Sequence, residues 1–304
     1  MRTDRKRKSV YSHLAACLTM LIWGTTFIST KILLNDFSPI EILLLRFVIG
    51  YAALLIVYPH FLKPKSLKEE LLFASAGFCG ITLYYMLENT ALTYTLASNV
   101  GIIISVAPFF TGILAHFLLN GEKLHASFFI GFITAIIGIS LINLNGSFLL
   151  KLNPMGDALA VLAAAVWAVY SVLMKKISGR NYNTIACTRR VFFYGLLFMI
   201  PVSLFLGIRL DFGKITNGTN LFNLLFLGLG ASALCFVTWN FAVGILGAVK
   251  TSVYIYLVPI ITIATSVLIL HERITWVASL GALLTMVGLL LSEKRARTKE
   301  IIEP

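Results

Sequence analysis

The most constraining feature of this sequence is a series of long apolar runs. A bilayer core about 30 Å thick needs roughly 20 helical residues for one crossing. Ten runs meet that length, at residues 11–34, 39–59, 68–90, 97–119, 125–144, 156–175, 185–206, 221–242, 248–270 and 275–291. Continuous apolar runs exclude membrane-spanning barrel strands, in which apolar and polar residues alternate. We therefore predict an all-α membrane protein with ten transmembrane helices.

The composition supports lipid as the solvent of this chain. Of its 304 residues, 58% are hydrophobic and 12% are charged, whereas soluble domains carry about 25% charged residues. The net charge of +12 would suit a nucleic-acid partner, but the basic residues lie mostly in short segments between the apolar runs. There they act as topology signals, and we predict the lipid bilayer, and no nucleic acid, as a partner.

The distribution of lysine and arginine predicts the orientation. An N-terminus on the cytoplasmic side places most basic segments inside, as the positive-inside rule requires, and the even number of runs returns the C-terminus to the same side. Both termini are therefore expected in the cytoplasm, as a basic N-terminal segment, 1–10, and a tail, 292–304.

The two halves of the sequence match each other. At a shift of 144 to 151 residues the matching pairs are Trp23/Trp167, Lys31/Lys175, Arg46/Arg190, Asn89/Asn240, Ala97/Ala248, Pro108/Pro259, Glu122/Glu272, Gly131/Gly281 and Gly138/Gly288. Each half holds five runs, an odd number, so the second half must lie upside down in the membrane. We predict two inverted five-helix repeats, 11–145 and 156–291, around a central cavity. This arrangement favours a carrier, because inverted repeats provide two related conformations, one open to each side.

Four segments carry a resemblance to a known family. They are "LIWGTTFISTKILL", "LLLRF", "ENTALTYTLASNVGIIISVAPFFTGILAHFLLNGEKLH" and "WNFAVGILGAVKTSVYIYLVPIITIATSVLILHERIT". The chain resembles, over Leu14 to Leu291, the EamA-type members of the drug/metabolite transporter superfamily. The resemblance implies a carrier of the cytoplasmic (inner) membrane with ten helices, a cavity between the repeats and no cofactor. Its members move amino acids, sugars, nucleotide-like metabolites or drugs, often as exporters. The segment "AAVWAVYSVLMKK" departs from the pattern, because it lacks the GTT that follows Trp23.

Aromatic, amide and lysine side chains are the candidates for the cavity lining. Trp23 and Trp167 lie in the middle of their runs, where the aromatic belts of membrane interfaces do not explain them. A buried amide needs hydrogen-bond partners, so Asn89 and Asn240 either tie helices together or bind cargo. The complete set is Trp23, Tyr85, Asn89, Asn99, Trp167, Tyr170, Trp239, Asn240, Lys250 and Tyr254.

Two prolines lie near the centres of their apolar runs. A proline inside a helix removes one hydrogen bond and frees the carbonyl four residues earlier, here those of Ile104 and Ile255. Pro108 and Pro259 either kink their helices for packing or act as hinges in the cavity wall.

Lys250 is open to two interpretations. It lies one helical turn before Tyr254, and its repeat mate is Asn99. It either extends its amine to the cytoplasmic interface, as lysines at helix ends do, or faces the cavity as a cation for a carboxylate or polar cargo, because a charge inside the bilayer must face the bundle interior or water.

Other charged residues inside the runs are candidates for ion pairing or coupling. Lys31, Arg46 and Arg190 fix helix ends through ion pairs, with Glu41, Glu88 or lipid headgroups as possible partners. Glu88 is the only acid deep within an apolar run, which makes it the candidate for proton coupling. Alternatively, it lies at the outer mouth of its helix and faces water.

Other glycines and acids have structural interpretations. Glycines spaced by seven, Gly131/Gly138 and Gly281/Gly288, predict close helix packing. Glu122 and Glu272 precede the same helices, where a carboxylate stabilises a helix N-terminus.

No motif in the sequence points to catalysis. The five histidines are scattered without metal-ligand spacing, and no phosphate-binding glycine motif is present. We predict no enzyme activity and no metal site. The function predicted is a secondary transporter working by alternating access, which exports a small polar metabolite such as an amino acid and acts as a monomer, with a proton or ion as a possible coupling partner. A nucleotide-sugar or drug carrier, or a channel, is the alternative.

Overall fold

A computed structural model describes residues 2–95, 97–120, 125–143, 153–180, 182–208, 211–261, 264 and 275–293. All regular structure within these residues is helical. The helices are α1 (Arg2–Leu33), α2 (Pro39–Val57), α3 (Leu67–Tyr94), α4 (Ala97–Ile104), α5 (Ala107–Leu118), α6 (Ala126–Asn143), α7 (Pro154–Ser178), α8 (Thr184–Phe205), α9 (Phe212–Thr216), α10 (Gly218–Leu246), α11 (Ala248–Ile261) and α12 (Trp276–Glu293).

Six of these helices are long and apolar enough to cross a membrane. They are α1, α2, α3, α7, α8 and α10, and each contains a strongly apolar stretch. Four shorter apolar helices cover Ala107–Leu118, Ala126–Leu141, Ala248–Ile261 and Ser279–Ser292. The all-helical prediction is therefore confirmed, while the number of ten crossings stays a prediction.

Capping residues fix where several helices begin. Ser38 caps α2, and its side chain and that of Glu41 form a reciprocal capping box, with Pro39 in the first turn. Such a box satisfies two backbone amides that the helix itself leaves unpaired. Asn153 caps α7 ahead of Pro154, and its side chain accepts a hydrogen bond from the Gly156 amide. These caps explain why the separators between apolar runs end sharply.

Helices α3 and α10 each contain a π-helical segment, at matching places in the two halves. The segments are Phe78–Leu83 and Phe226–Leu234. Glycines beside them permit close packing across the halves: a Cβ on Gly77 would lie 2.6 Å from the Val191 carbonyl oxygen of α8, and one on Gly228 would lie 2.5 Å from Ile49 of α2. Helix α3 of the first half thus packs on α8 of the second half, and α10 of the second half packs on α2 of the first.

The prediction that prolines kink continuous helices is wrong for Pro108. The chain leaves the α-helix at Ser105 and Val106, and a new helix, α5, begins at Ala107 with Pro108 in its first turn. This placement is favourable, because proline lacks the amide that a first helical turn leaves unpaired. In α11 a 3₁₀ segment, Val253–Tyr256, lies just before Pro259. Both prolines therefore follow a break in α-helical geometry.

Lysines close the C-terminal ends of α3 and α10. Lys31 Nζ donates to the Leu92 carbonyl in the last turn of α3 at 2.6 Å, and Lys175 Nζ donates to the Gly244 carbonyl in the last turn of α10 at 3.0 Å. A cation at a helix C-terminus satisfies free carbonyls and complements the helix dipole. Lys31 therefore fixes a helix end, as predicted, but through a carbonyl rather than an ion pair.

Helices α6 and α12 pack directly on each other through glycines. A Cβ on Gly138 would lie 2.5 Å from the Thr285 backbone nitrogen, and one on Gly288 would lie 2.5 Å from that of Ala135. This confirms the prediction that these glycines serve close helix packing. The capping role predicted for Glu122 and Glu272 concerns residues outside the described ranges.

Candidate functional site

An aromatic cluster lies where α1, α3, α7 and α10 meet. The rings of Trp23 and Trp167 are 5.2 Å apart in an edge-to-face arrangement, and the ring of Trp239 lies 5.3 Å from that of Trp23. The centre of the Tyr84 ring lies 4.8 Å from that of the Trp167 ring and 4.7 Å from that of the Tyr85 ring. The two tryptophans predicted as repeat mates are thus in direct contact.

A small cavity lies beside this cluster. It encloses about 40 Å³, room for roughly two or three water molecules. Five of its ten lining residues are aromatic: Trp23, Phe27, Tyr84, Tyr85 and Trp167. A cavity of this size is too small for a whole metabolite.

The breaks in α4/α5 and α11 meet at this cavity. Ile104, the last residue of α4, lines it, and so do Ile255 and Val258 of α11. Ile104 and Ile255 are the residues four positions before the two prolines. The cavity wall therefore includes the residue that ends α4, next to the break, and residues in and just after the 3₁₀ segment of α11. A membrane protein tolerates irregular backbone only where it is buried in protein or lines a water-filled cavity.

Glu88 is the acidic side chain of the cavity wall. It lies one turn after Tyr84 and Tyr85 on the same face of α3 and is 6% exposed. The alternative that it faces open water is therefore wrong. Its carboxylate makes no hydrogen bond or ion pair within 4.0 Å to any residue in the described ranges.

Arg46 is buried beside this wall but outside the cavity lining. It is 2% exposed, its Nε donates to the Ser232 hydroxyl at 3.0 Å, and its guanidinium lies 4.4 Å from the Tyr85 ring centre. Among the described residues, no ion pair within 4.0 Å joins Arg46 to Glu88 or to another acid. Glu41 is not its partner, because the Glu41 carboxylate is held in the capping box at the start of α2.

Three predicted cavity residues tie helices together instead. The Tyr170 hydroxyl donates to Asn240 Oδ1 at 2.8 Å, and Asn240 Nδ2 donates to the Thr188 hydroxyl at 3.0 Å. Asn89 Nδ2 donates to the Pro39 carbonyl at 3.4 Å. None of the three lines the cavity. Of the two roles predicted for Asn89 and Asn240, tying helices together or binding cargo, the contacts match the first.

Trp239 and Tyr254 also lie outside the cavity lining. Trp239 is fully buried within the aromatic cluster. The Tyr254 hydroxyl lies 2.5 Å from Nδ1 of His13, near the N-terminal end of α1. Lys250 lies half-buried in the first turn of α11. Asn99 belongs to α4, but its side chain is outside the described part of the chain.

A polar network joins α3, α7 and α8 at the ends predicted to face the cytoplasm; we refer to it as the Glu69–Glu70 network. Glu70 accepts hydrogen bonds from Arg190, at 2.5 Å, and from the Tyr194 hydroxyl. Arg190 therefore makes the interfacial ion pair that the sequence predicted. Its partner comes from α3, beside the start of the third apolar run.

Glu69 forms the other half of the Glu69–Glu70 network. Its carboxylate pairs with Arg180 at 3.3 Å and accepts a hydrogen bond from the Tyr182 hydroxyl at 2.7 Å. That hydrogen bond raises the pKa of the Tyr182 phenol, because a donated proton is held by the carboxylate. Arg189, buried at 3% exposure, donates to the Tyr58 and His60 carbonyls. Together these contacts close the ends of α2, α3, α7 and α8 against each other.

Within the described ranges, no three histidine, cysteine, aspartate or glutamate side chains come together. Besides its aromatic residues, the cavity lining holds one aliphatic hydroxyl, that of Thr26, and one carboxylate, that of Glu88.

Comparison with known proteins identifies the family. The family model of the EamA-like transporter family matches this chain twice, at residues 10–144 and at residues 154–293. The chain belongs to the EamA-like transporter family. The resemblance found in the sequence is thereby confirmed, and the protein is a membrane transporter rather than an enzyme.

Relatives within the EamA-like family cover nearly the whole chain. An "Uncharacterized transporter" of Archaeoglobus fulgidus is 30% identical, over 92% of this chain and 96% of its own length. An Escherichia coli protein named "Probable amino-acid metabolite efflux pump" and a Streptantibioticus cattleyicolor protein named "Probable terminal-alkyne amino-acid exporter" are each 26% identical, over 95% of this chain and 96% of theirs. A solved crystal structure with 17% identity has the same fold, with a TM-score of 0.73 over 92% of this chain and 97% of that one.

Sequence reasoning missed several residues of this EamA-like protein. Tyr84 and Thr26 line the cavity, and Glu69 and Glu70 organise the polar network. The spacing of Tyr84, Tyr85 and Glu88 places them on one helical face, so Tyr84 was open to prediction once Glu88 had been singled out. Nothing in the sequence linked Glu69 and Glu70 to arginines more than a hundred residues away.

Proposed function

We propose that this protein is a secondary transporter that exports a small polar metabolite, such as an amino acid, by alternating access. The observation that carries the proposal is the cavity at the junction of the two halves, where the helix breaks of α4/α5 and α11 meet the Trp23–Trp167 contact. Discontinuous helices at the interface between repeats are typical of substrate sites in secondary transporters. The names of two relatives favour amino-acid cargo.

The proposal includes ten transmembrane helices in two inverted repeats, divided as 11–145 and 156–291, with the N-terminal segment 1–10 and the tail 292–304 outside them. The two family matches, 10–144 and 154–293, support this division. The paired π segments and the paired contacts of Lys31 and Lys175 with helix ends support equivalent halves. The positive-inside rule supports both termini in the cytoplasm of a cytoplasmic-membrane protein.

Within this proposal Lys250 belongs at the cytoplasmic interface. Tyr254 contacts His13, which follows the basic N-terminal stretch ending at Lys8 by five residues. Lys250 lies one helical turn before Tyr254, at the start of α11. A lysine at that depth can extend its amine to the interface. Measuring transport by Lys250→Ala separates the two interpretations, since abolished transport in a folded variant would assign the lysine to cargo binding.

Counterflow in proteoliposomes tests the proposed function. Liposomes containing the purified full chain are loaded with one unlabelled amino acid at a time and diluted into the radiolabelled form. We expect transient, saturable accumulation of the label for at least one amino acid, because an alternating-access carrier exchanges cargo across the membrane. Uptake that does not saturate and shows no counterflow would indicate a channel. Counterflow restricted to nucleotide sugars or apolar drugs would support the alternative carriers, and imposed proton or ion gradients would reveal coupling.

Alternating access further predicts that the Glu69–Glu70 network must open when the cytoplasmic side opens. Glu70→Gln removes the charge that holds Arg190. A partly exposed ion pair contributes up to about 1 kcal/mol, which corresponds to roughly a fivefold larger open population. Cys187 is 4% exposed and lies one turn before Arg190. Its rate of modification by N-ethylmaleimide, followed by mass spectrometry, is therefore expected to rise several-fold.

Glu41→Gln is the matched control for that experiment. It makes the same change of charge at the opposite end of α2, and glutamine can replace glutamate in a capping box. In the control, N-ethylmaleimide should modify Cys187 as slowly as in the wild type. An unchanged rate in Glu70→Gln would mean that the network is not part of the closing mechanism.

A further inference from the structure

The Glu88 carboxylate is buried without a partner among the residues that the structure describes. It is 6% exposed, lines the cavity, and has no hydrogen bond or ion pair to a described residue. A buried charge is costly unless it is paired and hydrogen-bonded. The nearby cation Arg46 is occupied elsewhere: its Nε donates to Ser232 and its guanidinium lies over the Tyr85 ring. The carboxylate thus retains its full capacity to accept hydrogen bonds from a group in the cavity.

The walls around Glu88 suit a cation. Trp23, Tyr84, Tyr85 and Trp167 all line the same cavity. The faces of aromatic rings carry negative electrostatic potential and attract ammonium groups, most strongly where water is excluded. Aromatic faces together with one carboxylate therefore make a site for a positively charged, hydrogen-bond-donating group.

We propose that this cavity binds the ammonium group of the cargo, with Glu88 as its counter-charge. The inference deepens the proposed function: the substrate class becomes amines, including amino acids, and excludes cargo whose only charge is negative. Arg46, the buried cation nearby, is not part of the cavity lining and therefore offers no anion site there.

The size of the cavity agrees with this assignment. Its volume of about 40 Å³ accommodates an ammonium group but not the remainder of an amino acid. The cavity is therefore the amine end of a longer site. The remainder of the cargo requires movement of the wall, which includes Ile104, at the end of α4, and Ile255, in the 3₁₀ segment of α11.

A pair of probes of similar size and opposite charge tests the proposal. Phenethylamine and 3-phenylpropionate are added separately to the purified full chain in detergent, and binding is measured by thermal shift, since a ligand that binds the folded state raises its melting temperature. We expect phenethylamine, but not 3-phenylpropionate, to stabilise the wild type. Glu88→Gln should weaken phenethylamine binding about tenfold or more, because it removes a charge-assisted hydrogen bond.

Glu41→Gln again serves as the control and should bind phenethylamine like the wild type. Equal stabilisation by both probes, or an unchanged Kd in Glu88→Gln, overturns the proposal. If Glu88→Gln fails to fold, the wild type provides the measurement: phenethylamine should slow modification of Glu88 by a hydrophobic carbodiimide, and 3-phenylpropionate should not. A rate of Glu88 modification that phenethylamine does not lower would also overturn the proposal.

The detergent measurement is independent of transport. Binding of phenethylamine through Glu88 combined with no counterflow of any cargo would reject the transport function and leave the amine site intact. Counterflow of a cargo that lacks an ammonium group, with no phenethylamine binding, would reject the amine site and leave the carrier function intact.

Discussion

Trp167→Ala is expected to destabilise this protein more than most single substitutions. Trp167 is 3% exposed and contacts Trp23, Tyr84, Tyr170 and Trp239. Truncating a buried tryptophan to alanine costs about 3–5 kcal/mol, because it removes both transfer free energy and packing contacts. The melting temperature of the purified variant in detergent should fall accordingly, and transport should be lost because the cavity loses one wall.

Trp276→Ala is the matched control for this substitution. The Trp276 side chain is 76% exposed at the start of α12, so the same truncation there removes little packing. We expect the melting temperature of Trp276→Ala to lie close to that of the wild type. Equal destabilisation by both changes would mean that the aromatic cluster contributes no more than a surface tryptophan. Trp167→Phe keeps a ring in the wall and separates the loss of packing from the loss of transport.

Gly288→Leu is expected to force α12 away from α6. The first atom of any side chain at position 288 would lie 2.5 Å from the Ala135 backbone nitrogen and 2.6 Å from the Gly131 carbonyl oxygen. Because both obstacles are backbone, a change of rotamer cannot relieve the clash. Overpacking of this kind costs about 1–3 kcal/mol and occasionally more. Reduced yield of folded protein and a lower melting temperature in detergent are the expected results.

Gly218→Leu tests whether the effect depends on packing. A Cβ on Gly218 would have no neighbour within 4 Å, so the leucine there has space, and it should be tolerated. A Gly288→Leu variant as stable as the Gly218→Leu variant would contradict direct backbone contact between α6 and α12.

The sequence predicted features that depend on local pattern or on repetition. The apolar runs predicted the helices, and the glycine spacing predicted the α6–α12 contact. The pairing of Trp23 with Trp167 in the repeat anticipated two residues that line one cavity. Each of these signals is present within one run or in a comparison of the two halves.

Features that depend on side-chain direction were not predictable in the same way. Asn240 and Lys250 are polar residues in the same half, yet one ties three helices together and the other lies half-buried at a helix start. Hydropathy does not distinguish a polar group that binds a neighbouring helix from one that faces a cavity. The break before Pro108 was also hidden, because proline is compatible both with a kink and with the first turn of a new helix.

The π segment of α3 bears on how this wall can change. Phe78–Leu83 lies directly before the turn that carries Tyr84, Tyr85 and Glu88. A π turn holds about one residue more than an α turn, and one residue corresponds to about 100° of rotation around a helix axis. Converting that segment to regular α-helix would therefore rotate the turn that carries Tyr84, Tyr85 and Glu88 as one unit relative to Trp23 and Trp167, and would advance it by about 1.5 Å along the helix axis.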